Sequence, residues 1–442
     1  MSLVHPFSDE TTSSELDVFK TPSTDTSVES RRYFSHKPTA ALTSSNWIDF
    51  RIPSTNGYVD LSTMYLDVEL AITKADGSAL PNAQVAAAAQ GQAAEAQNLY
   101  DKITPVNNLL SSLFQQVDVC LNNTLVTSAT NLYHYRAYLD CLFYQSKKAQ
   151  DTYLYSCLFD MDSNKRKERI KRCFDGKKLK LTGPLHLDLC QQERLLISHV
   201  DVSIRLNIAD SSFVFVVDPT TAQRPKFQIV DATLHVESKW LFPDVDAGIL
   251  STLAQHDCLY FYNSTQLRHY VIDQGSTTWY LDNIYPSILP RRFVIGIVKS
   301  KAFNGDFQED PFNFQPYNLT EVKIFVNNVQ VPTPAVIHDF DDDDFARSYF
   351  LFYENFRSLH PVTTLSITPD DYKRNCTFYC FHLSNEGTLD TNDSTALIYR
   401  GHVRVDLRFK SPTTEPLTAI VYSHFAQRMT INAERQAMIH EL

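Results

Sequence analysis

An acidic run in the second half of the chain is the first place where residue types and spacing could do chemistry. Asp339 is followed by four consecutive aspartates at residues 341–344. A calcium loop of the EF-hand type requires Gly at its sixth position and Glu at its twelfth, and here those positions hold Asp344 and Phe350. Because residues 341–344 precede a helical pattern, we expect them to cap backbone N–H groups and complement the helix dipole. Cation binding at a subunit contact is the alternative.

A basic cluster in the first half is the second candidate. Six of eight consecutive residues are basic in a chain whose net charge is −11. We expect the cluster to lie in a surface loop, because unpaired charges are costly to bury. It could be a merely solvated loop, a nuclear import signal, a contact with packaged nucleic acid, or a contact with an acidic neighbouring subunit. Its basic residues are Lys165, Arg166, Lys167, Arg169, Lys171 and Arg172.

Other patterns typical of catalysis or metal binding are not found in the sequence. Cys376 and Cys380 are not followed by a second pair at zinc spacing, and we interpret them as two packed thiols on a strand. The chain has no Gly-x-Ser-x-Gly motif, no His-Glu-x-x-His motif and no glycine-rich phosphate loop. We therefore predict no catalytic residue, no metal site and no cofactor, although a site assembled from distant strands would leave no such pattern.

Length and composition indicate an ordinary globular protein of two domains. The chain has 442 residues, 43% of them hydrophobic and 21% charged. A single core stops growing near about 250–300 residues, so two domains are expected. The sequence has no apolar run long enough for a membrane helix and no recognisable secretory signal. On that basis the eight cysteines are expected to be free thiols.

An internal repeat supports two related domains. A strand, a pair of asparagines and a second strand occur around Asn122-Asn123 and again around Asn327-Asn328, about two hundred residues later. An aromatic-rich helical pattern follows each hairpin, first near residues 132–142 and then near residues 345–356. Two long copies of one pattern predict tandem domains rather than a short-repeat solenoid.

Alternation of apolar and polar residues predicts strands throughout the rest of the chain. Many short strands, long loops and few helices favour an all-β fold of two tandem eight-stranded jelly-roll domains, a double jelly roll, with short helices in loops. The alanine- and glutamine-rich segment 83–97 is either a short helix or a disordered loop. The predicted strands are 47–52, 64–72, 179–189, 195–206, 213–217, 227–240, 260–271, 278–284, 292–298, 319–331, 376–383, 396–409 and 417–425.

These patterns divide the chain into five parts. We expect an extended N-terminal arm at 1–45, a first jelly roll at 46–242, a connector at 243–257, a second jelly roll at 258–428 and a C-terminal tail at 429–442. The arm is too polar to form a core alone, and its sparse apolar residues suggest that it orders only against the base of its own or a neighbouring subunit assembly. Those residues are Phe19, Tyr33 and Phe34.

Several segments resemble the major capsid proteins of Polinton (Maverick) elements and adintoviruses. They are the leader at residues 15–28, the block at 105–119 with its Leu121-Asn122 turn, and the segments 133–142 and 291–300. These segments keep the family's order over essentially the whole chain. The leader departs from the family at Ser23, where a second proline is expected.

The resemblance implies a structural function and no enzymatic activity. It implies a double jelly roll related to the adenovirus hexon, with three copies forming a pseudo-hexagonal capsomer of an icosahedral shell around double-stranded DNA. The implied partners are two further copies, neighbouring capsomers and a penton or minor capsid protein, with non-specific contact to packaged DNA. The implied location is the virion, after assembly in the host nucleus or cytoplasm. The competing hypothesis is an enzyme or carbohydrate-binding protein built on tandem jelly rolls.

Overall fold

The structure is a computed structural model of the full chain. It describes residues 13–441, apart from positions 17, 20, 22, 43–45, 82, 86–95, 286, 357–364 and 384–397. Within these residues no helix is long and apolar enough to span a membrane.

The first half of the chain forms a sandwich of two four-stranded antiparallel sheets. One sheet has the order β1-β8-β3-β6, and the other has the order β2-β7-β4-β5. The strands described are β1 (Val28–His36), β2 (Trp47–Ile52), β3 (Tyr58–Thr73), β4 (Phe114–Leu121), β5 (Thr124–Leu125), β6 (Lys178–Pro184), β7 (Val202–Ile208) and β8 (Lys226–Leu241).

The second half repeats this topology strand for strand. Its sheets have the orders β9-β16-β11-β14 and β10-β15-β12-β13, so each strand occupies the place of the strand eight numbers earlier. The strands described are β9 (Cys258–Ile272), β10 (Thr278–Leu281), β11 (Arg292–Lys299), β12 (Leu319–Val326), β13 (Val329–Ile337), β14 (Phe378–His382), β15 (Val403–Phe409) and β16 (Leu417–Ile431). The prediction of two tandem eight-stranded jelly rolls is confirmed.

Both asparagine pairs form the predicted hairpin turns. Asn122 and Asn123 join β4 to β5 with φ values of 45° and 70°, and Asn327 and Asn328 join β12 to β13 with 49° and 66°. Two consecutive residues at positive φ are what a two-residue type I′ turn requires, and asparagine tolerates that conformation. The sequence repeat therefore corresponds to the same hairpin in each barrel.

Short helices occupy the loops between strands, as predicted. The two aromatic patterns are α2 and α8, and each connects the fifth strand of its barrel to the sixth. The helices described are α1 (Leu109–Ser112), α2 (Tyr133–Tyr144), α3 (Lys147–Gln150), α4 (Ser163–Ile170), α5 (Ser211–Val214), α6 (Pro243–Leu253), α7 (Ser300–Asn304), α8 (Ala346–Asn355) and α9 (Pro369–Arg374). Helix α6 lies in the expected connector and leads from the first barrel to the second.

Both ends of the chain differ from expectation. Residues 28–36 of the expected arm form β1, which pairs with β8 along its length as an edge strand of the first barrel. No residue of β1 is fully buried, so its sequence lacks the apolar alternation that reveals the other strands. The expected tail is also in a sheet, because β16 continues to Ile431 and β17 (Ala437–Glu441) pairs with it. The arm and the tail are therefore both shorter than predicted.

Smaller strands and turns complete the description. Ala83–Val85 pairs with Ala96–Asn98 at the two ends of the alanine- and glutamine-rich segment, whose residues 86–95 lie outside the described residues. Ile103–Pro105 pairs with Phe215–Val217 in a second small sheet. Short 3₁₀ helices occur at Ser14–Leu16, Leu99–Asp101, Tyr153–Cys157, Lys171–Cys173 and Asp188–Gln191.

Candidate functional site

The acidic run does not cap the helix that follows it. The N-cap position of α8 is Phe345, and no side chain accepts a capping hydrogen bond there. Instead, the backbones of Asp339 and Asp344 pair with each other across a turn in which Asp343 adopts a positive φ of 57°. The predicted capping role is therefore wrong, because Phe345 separates the turn, which ends at Asp344, from the helix, which begins at Ala346.

Lysines from the second barrel neutralise part of this run. Lys410 Nζ donates to Asp339 Oδ2 at 2.8 Å and to Asp341 Oδ2 at 3.2 Å, and Lys373 forms an ion pair with Asp343. Lys410 is the first cause of the lowered pKa of Asp339. Among the described residues, no group of three or more His, Cys, Asp or Glu side chains is arranged to hold a metal ion. The acidic run is accordingly an exposed turn held by lysines.

The basic cluster lies on a helix, not in a loop. Helix α4 carries the first four of its basic residues, and Lys171 and Arg172 belong to the 3₁₀ turn that follows. Arg166 is only 5% exposed, and its guanidinium donates to the backbone oxygens of Pro105 and Asp160. Our expectation that the whole cluster lies on the surface is therefore wrong for Arg166. Its charge is tolerated because backbone carbonyl oxygens replace the lost water.

The other basic residues of the cluster keep contact with solvent. Arg169 stacks over the ring of Tyr155 with 3.7 Å between the guanidinium carbon and the ring centroid, and Lys165 lies 3.7 Å from a carboxylate oxygen of Asp160. Lys165, Lys171 and Arg172 are exposed, and Lys167 is partly exposed. The cluster thus has two parts, with Arg166 and Arg169 anchoring the helix and the remaining four presenting positive charge.

The predicted aromatic contact residues lie at exposed positions. Phe19 is 97% exposed, and Tyr33 on β1 is 59% exposed. Phe34 is partly covered because its ring meets the ring of Trp240 edge-on at 5.8 Å. Tyr33 and Phe34 therefore share one edge strand of the first barrel but point to opposite faces of it, since adjacent strand residues alternate.

The contact between the two barrels is extensively buried, and the sequence did not reveal it. Ten of the twelve residues of α2 are buried, although a helix on a single barrel would bury one face only. Tyr138 stacks on Phe312 of the second barrel with 4.2 Å between ring centroids, and Tyr135 meets the same ring edge-on at 5.5 Å. Helix α2 of the first barrel therefore supplies the aromatic core that joins the two barrels.

A buried polar network crosses the same contact. Arg136 on α2 donates to Asp188 Oδ1 at 2.7 Å and lies 3.6 Å from Asp140, while the backbone N–H of Thr265 in the second barrel donates to Asp188 at 2.9 Å. Tyr422, also in the second barrel, donates to Asp140 Oδ1 at 2.6 Å. Burial is the largest influence on Asp188 and raises the pKa of its carboxyl, although Arg136 acts in the opposite direction. One guanidinium and the hydrogen bonds from the second barrel stabilise these two buried carboxylates, so separating the barrels would leave them without these partners.

The last residue of α2 continues this network. The hydroxyl of Tyr144 accepts a hydrogen bond from Arg292 at 2.9 Å and lies 3.3 Å from His424 Nε2. Burial, followed by the nearby Arg292, holds the pKa of His424 well below its ordinary value. His424 is therefore a neutral imidazole in the folded protein near pH 7. Arg292 and His424 face each other across β11 and β16, and the last residue of α2 lies against this pair.

All eight cysteines are unpaired, in line with the sequence prediction of free thiols. Cys376 and Cys380 are buried, and burial raises the pKa of each to about 12. A thiol with so high a pKa is a poor nucleophile and a poor metal ligand at neutral pH. Both cysteines belong to the large hydrophobic core, which indicates a structural role.

Comparisons with known proteins give one sequence relative and several structural neighbours. No protein-family model matches the chain. The uncharacterized protein F54H12.2 of Caenorhabditis elegans is 25% identical over 348 residues, which cover 76% of this chain and 82% of that protein.

Solved structures that resemble this fold include chains from several viruses. A chain of the Sputnik virophage matches with a TM-score of 0.66 and 11% identity, covering 100% of this chain and 94% of its own. The PBCV-1 virus capsid matches at 0.57 and 12% identity, covering 96% and 99%. The mavirus major capsid protein matches at 0.52 and 10% identity, covering 100% and 95%. In each case the shared fold is the double jelly roll, over 94% or more of each chain.

Proposed function

We propose that this chain is the major structural subunit of a viral capsid, and that three copies form a pseudo-hexagonal capsomer. The observation that carries the proposal is the strand-for-strand repetition of one jelly roll in a single chain. Two similar barrels per chain give six similar corners in a ring of three copies, which suits a hexagonal lattice, and closed cyclic symmetry is the usual form of homo-oligomers. The full-length likeness to double jelly-roll chains of viruses, including the mavirus major capsid protein, supports the same proposal.

The finer parts of the proposal follow from the resemblance to Polinton and adintovirus capsid proteins. We propose a shell that encloses double-stranded DNA, with neighbouring capsomers and a penton or minor capsid protein as partners. The arm before β1, including Phe19, is proposed to reach a neighbouring capsomer. The exposed part of the basic cluster is proposed to contact DNA or an acidic neighbour through charge.

The direct test is expression of the full chain followed by native mass spectrometry and electron microscopy. The proposal predicts a stable trimer. At high protein concentration, and with the N-terminal arm intact, the trimers should assemble into closed shells. A protein that stays monomeric at high concentration and binds a metal ion or a sugar would instead support the tandem jelly-roll enzyme or carbohydrate-binding protein.

A further inference from the structure

One sheet face is covered in the second barrel and open in the first. In the second barrel, β11 is buried on both faces along seven of its eight residues, because the first barrel packs on its outer side. In the first barrel, the corresponding strand β3 alternates between buried and partly exposed residues. The outer face of the β1-β8-β3-β6 sheet, defined by the outward residues Tyr65, Asp67, Thr233 and His235, is here called the open face.

The helices α2 and α8, one from each barrel, also differ in how much of their surface is buried. Helix α2 buries ten residues because it lies on the outer face of the second barrel within the chain. Helix α8 follows the corresponding hairpin of the second barrel, yet only Ser348 and Phe352 of its residues are buried. Arg347, Phe350 and Glu354 lie on its outward side at spacings of three and four residues, and Phe350 is 54% exposed. The chain therefore contains one helix already docked and a corresponding helix with an aromatic side chain in solvent.

Each of the two sheet faces carries a cross-strand pair that includes a histidine. On the second barrel, Arg292 faces His424 across β11 and β16, and the end of α2 lies against this pair. On the open face, Tyr65 faces His235 across the corresponding strands β3 and β8, with ring centroids 4.6 Å apart in a stacked arrangement. Asp67 fixes His235 by a contact of 3.1 Å to Nε2. The open face thus presents a stacked Tyr–His pair on the strands that correspond to β11 and β16.

Charge also favours a second copy as the occupant. The segment before α2 reaches β9, because Thr127 and Thr130 line the same small cleft as Thr265 and Leu267. The corresponding segment before α8 is the acidic run 341–344. If α8 docks in the same way on another copy, this run lies along the strand that corresponds to β9, which is β1. On the open-face side, that strand carries the exposed Arg31, which lies 3.9 Å from a carboxylate oxygen of Glu237. The next residue, Arg32, is also exposed but points to the opposite face of the strand.

We propose that α8 of one copy docks on the open face of another copy, with Phe350 over the Tyr65–His235 pair and residues 341–344 beside Arg31 at the β1 edge. The inference rests on the proposed trimer and names the surfaces that hold it together. The contact is heterologous, since each copy contributes its helix to one neighbour and its open face to the other, and such contacts close into a ring when three successive rotations make one full turn. The ring then alternates the contact seen within the chain with an equivalent contact between chains.

The test uses two variants of the full chain, each blocking one surface. Phe350→Asp places a charge at the centre of the helix side, and Thr233→Arg fills the open face. Either variant alone should be monomeric in native mass spectrometry under conditions where the wild type is a trimer. Phe350→Ala, which only removes the ring, should raise the apparent dissociation constant about thirtyfold, as expected for a central interface aromatic. Tyr280→Asp is the matched control, because Tyr280 is 70% exposed on an edge strand of the other sheet, and this variant should remain trimeric.

Mixing the two monomeric variants tests the direction of the contact. The Phe350→Asp copy keeps its open face and the Thr233→Arg copy keeps its helix, so a mixture should give a dimer of unlike copies and no trimer. Circular dichroism and melting temperatures like those of the wild type exclude misfolding as the cause. Trimers of Phe350→Asp alone, or a mixture that stays monomeric while the wild type forms trimers, would overturn the inference. A wild type that is itself monomeric would instead refute the proposed function.

The electrostatic part has an independent test. Replacing Arg31 and Arg32 by Glu should weaken the trimer, and adding Asp342→Lys with Asp344→Lys in the same chain should restore it. Restoration supports the placement of the acidic run beside β1, because a merely structural effect of either pair would not be reversed by the other. A chain that carries all four changes and is weaker than either pair alone would contradict that placement.

Discussion

Replacing Arg136 by Met is expected to loosen the contact between the barrels more than any single surface change. Arg136 lies between Asp140 and Asp188, and its side chain is 11% exposed. Met fills a similar volume but leaves two buried carboxylates without their cation. Breaking a buried ion pair by removal of one partner typically costs about 3–5 kcal/mol. At about 2–4 °C per kcal/mol for a domain of this size, the melting temperature should fall by about 6–20 °C.

Arg205→Met provides the matched control for this prediction. Arg205 donates to Asp49 at 2.8 Å, but its side chain is 52% exposed. Exposed pairs contribute about 0–1 kcal/mol, so the control should melt within about 4 °C of the wild type. Differential scanning calorimetry at pH 7 and one protein concentration measures both variants. Adding Asp188→Asn to Arg136→Met should recover part of the loss, because it removes one of the unpaired charges. Equal shifts for Arg136→Met and Arg205→Met would refute the reasoning.

Four further outcomes are expected. Gly296→Ala should destabilise the protein by about 1–3 kcal/mol, because the added carbon would lie 2.5 Å from the ring of Phe314. Gly248→Ala should not destabilise it, because the added carbon meets open space. Chemical denaturation measures the free energy of unfolding of both variants. Burial lowers the pKa of His134 from 6.5 to about 3, so the stability that the neutral imidazole contributes is complete above pH 6.5 and is lost as pH falls toward 3. His134→Phe should therefore reduce the loss of stability between pH 6.5 and 4, by about 2 kcal/mol at pH 5. An unchanged dependence of stability on pH would contradict this. Replacing the four solvent-facing basic residues of 165–172 by Gln should leave the melting temperature unchanged but reduce binding to DNA or to particles in low salt, and identical binding across salt would exclude a charge contact. Deleting residues 1–27 should leave the trimer intact and impair shell assembly, and normal shells would exclude a tie between capsomers.

Much of the fold could be predicted from the sequence because its signals are local. The asparagine pairs mark hairpins through their own backbone preference, and alternation marks strands that have one face in a core. Strand β1 has neither signal, since its residues stay partly exposed on both faces. Its place in the sheet depends on pairing with β8, nearly two hundred residues away in the chain, which no local pattern records.

The candidate surfaces were harder to predict for a related reason. The aromatic spacing indicated α2, but burial of nearly all its residues follows from the position of the second barrel. Arg166 resembles its basic neighbours in the sequence and differs from them only because backbone carbonyl oxygens of Pro105 and Asp160 lie within reach. The position of the acidic run before a helical pattern likewise suggested a helix cap. In the structure, the turn between Asp339 and Asp344 keeps these carboxylates away from the N-terminus of α8.

A reconstruction of the purified full-length protein by single-particle cryo-electron microscopy tests the central claim most directly. The account predicts three copies in a closed ring of six barrels, in which contacts within chains alternate with contacts of α8 on the open face. A particle with one copy, or a two-fold dimer that joins the same surface of both copies, would contradict it.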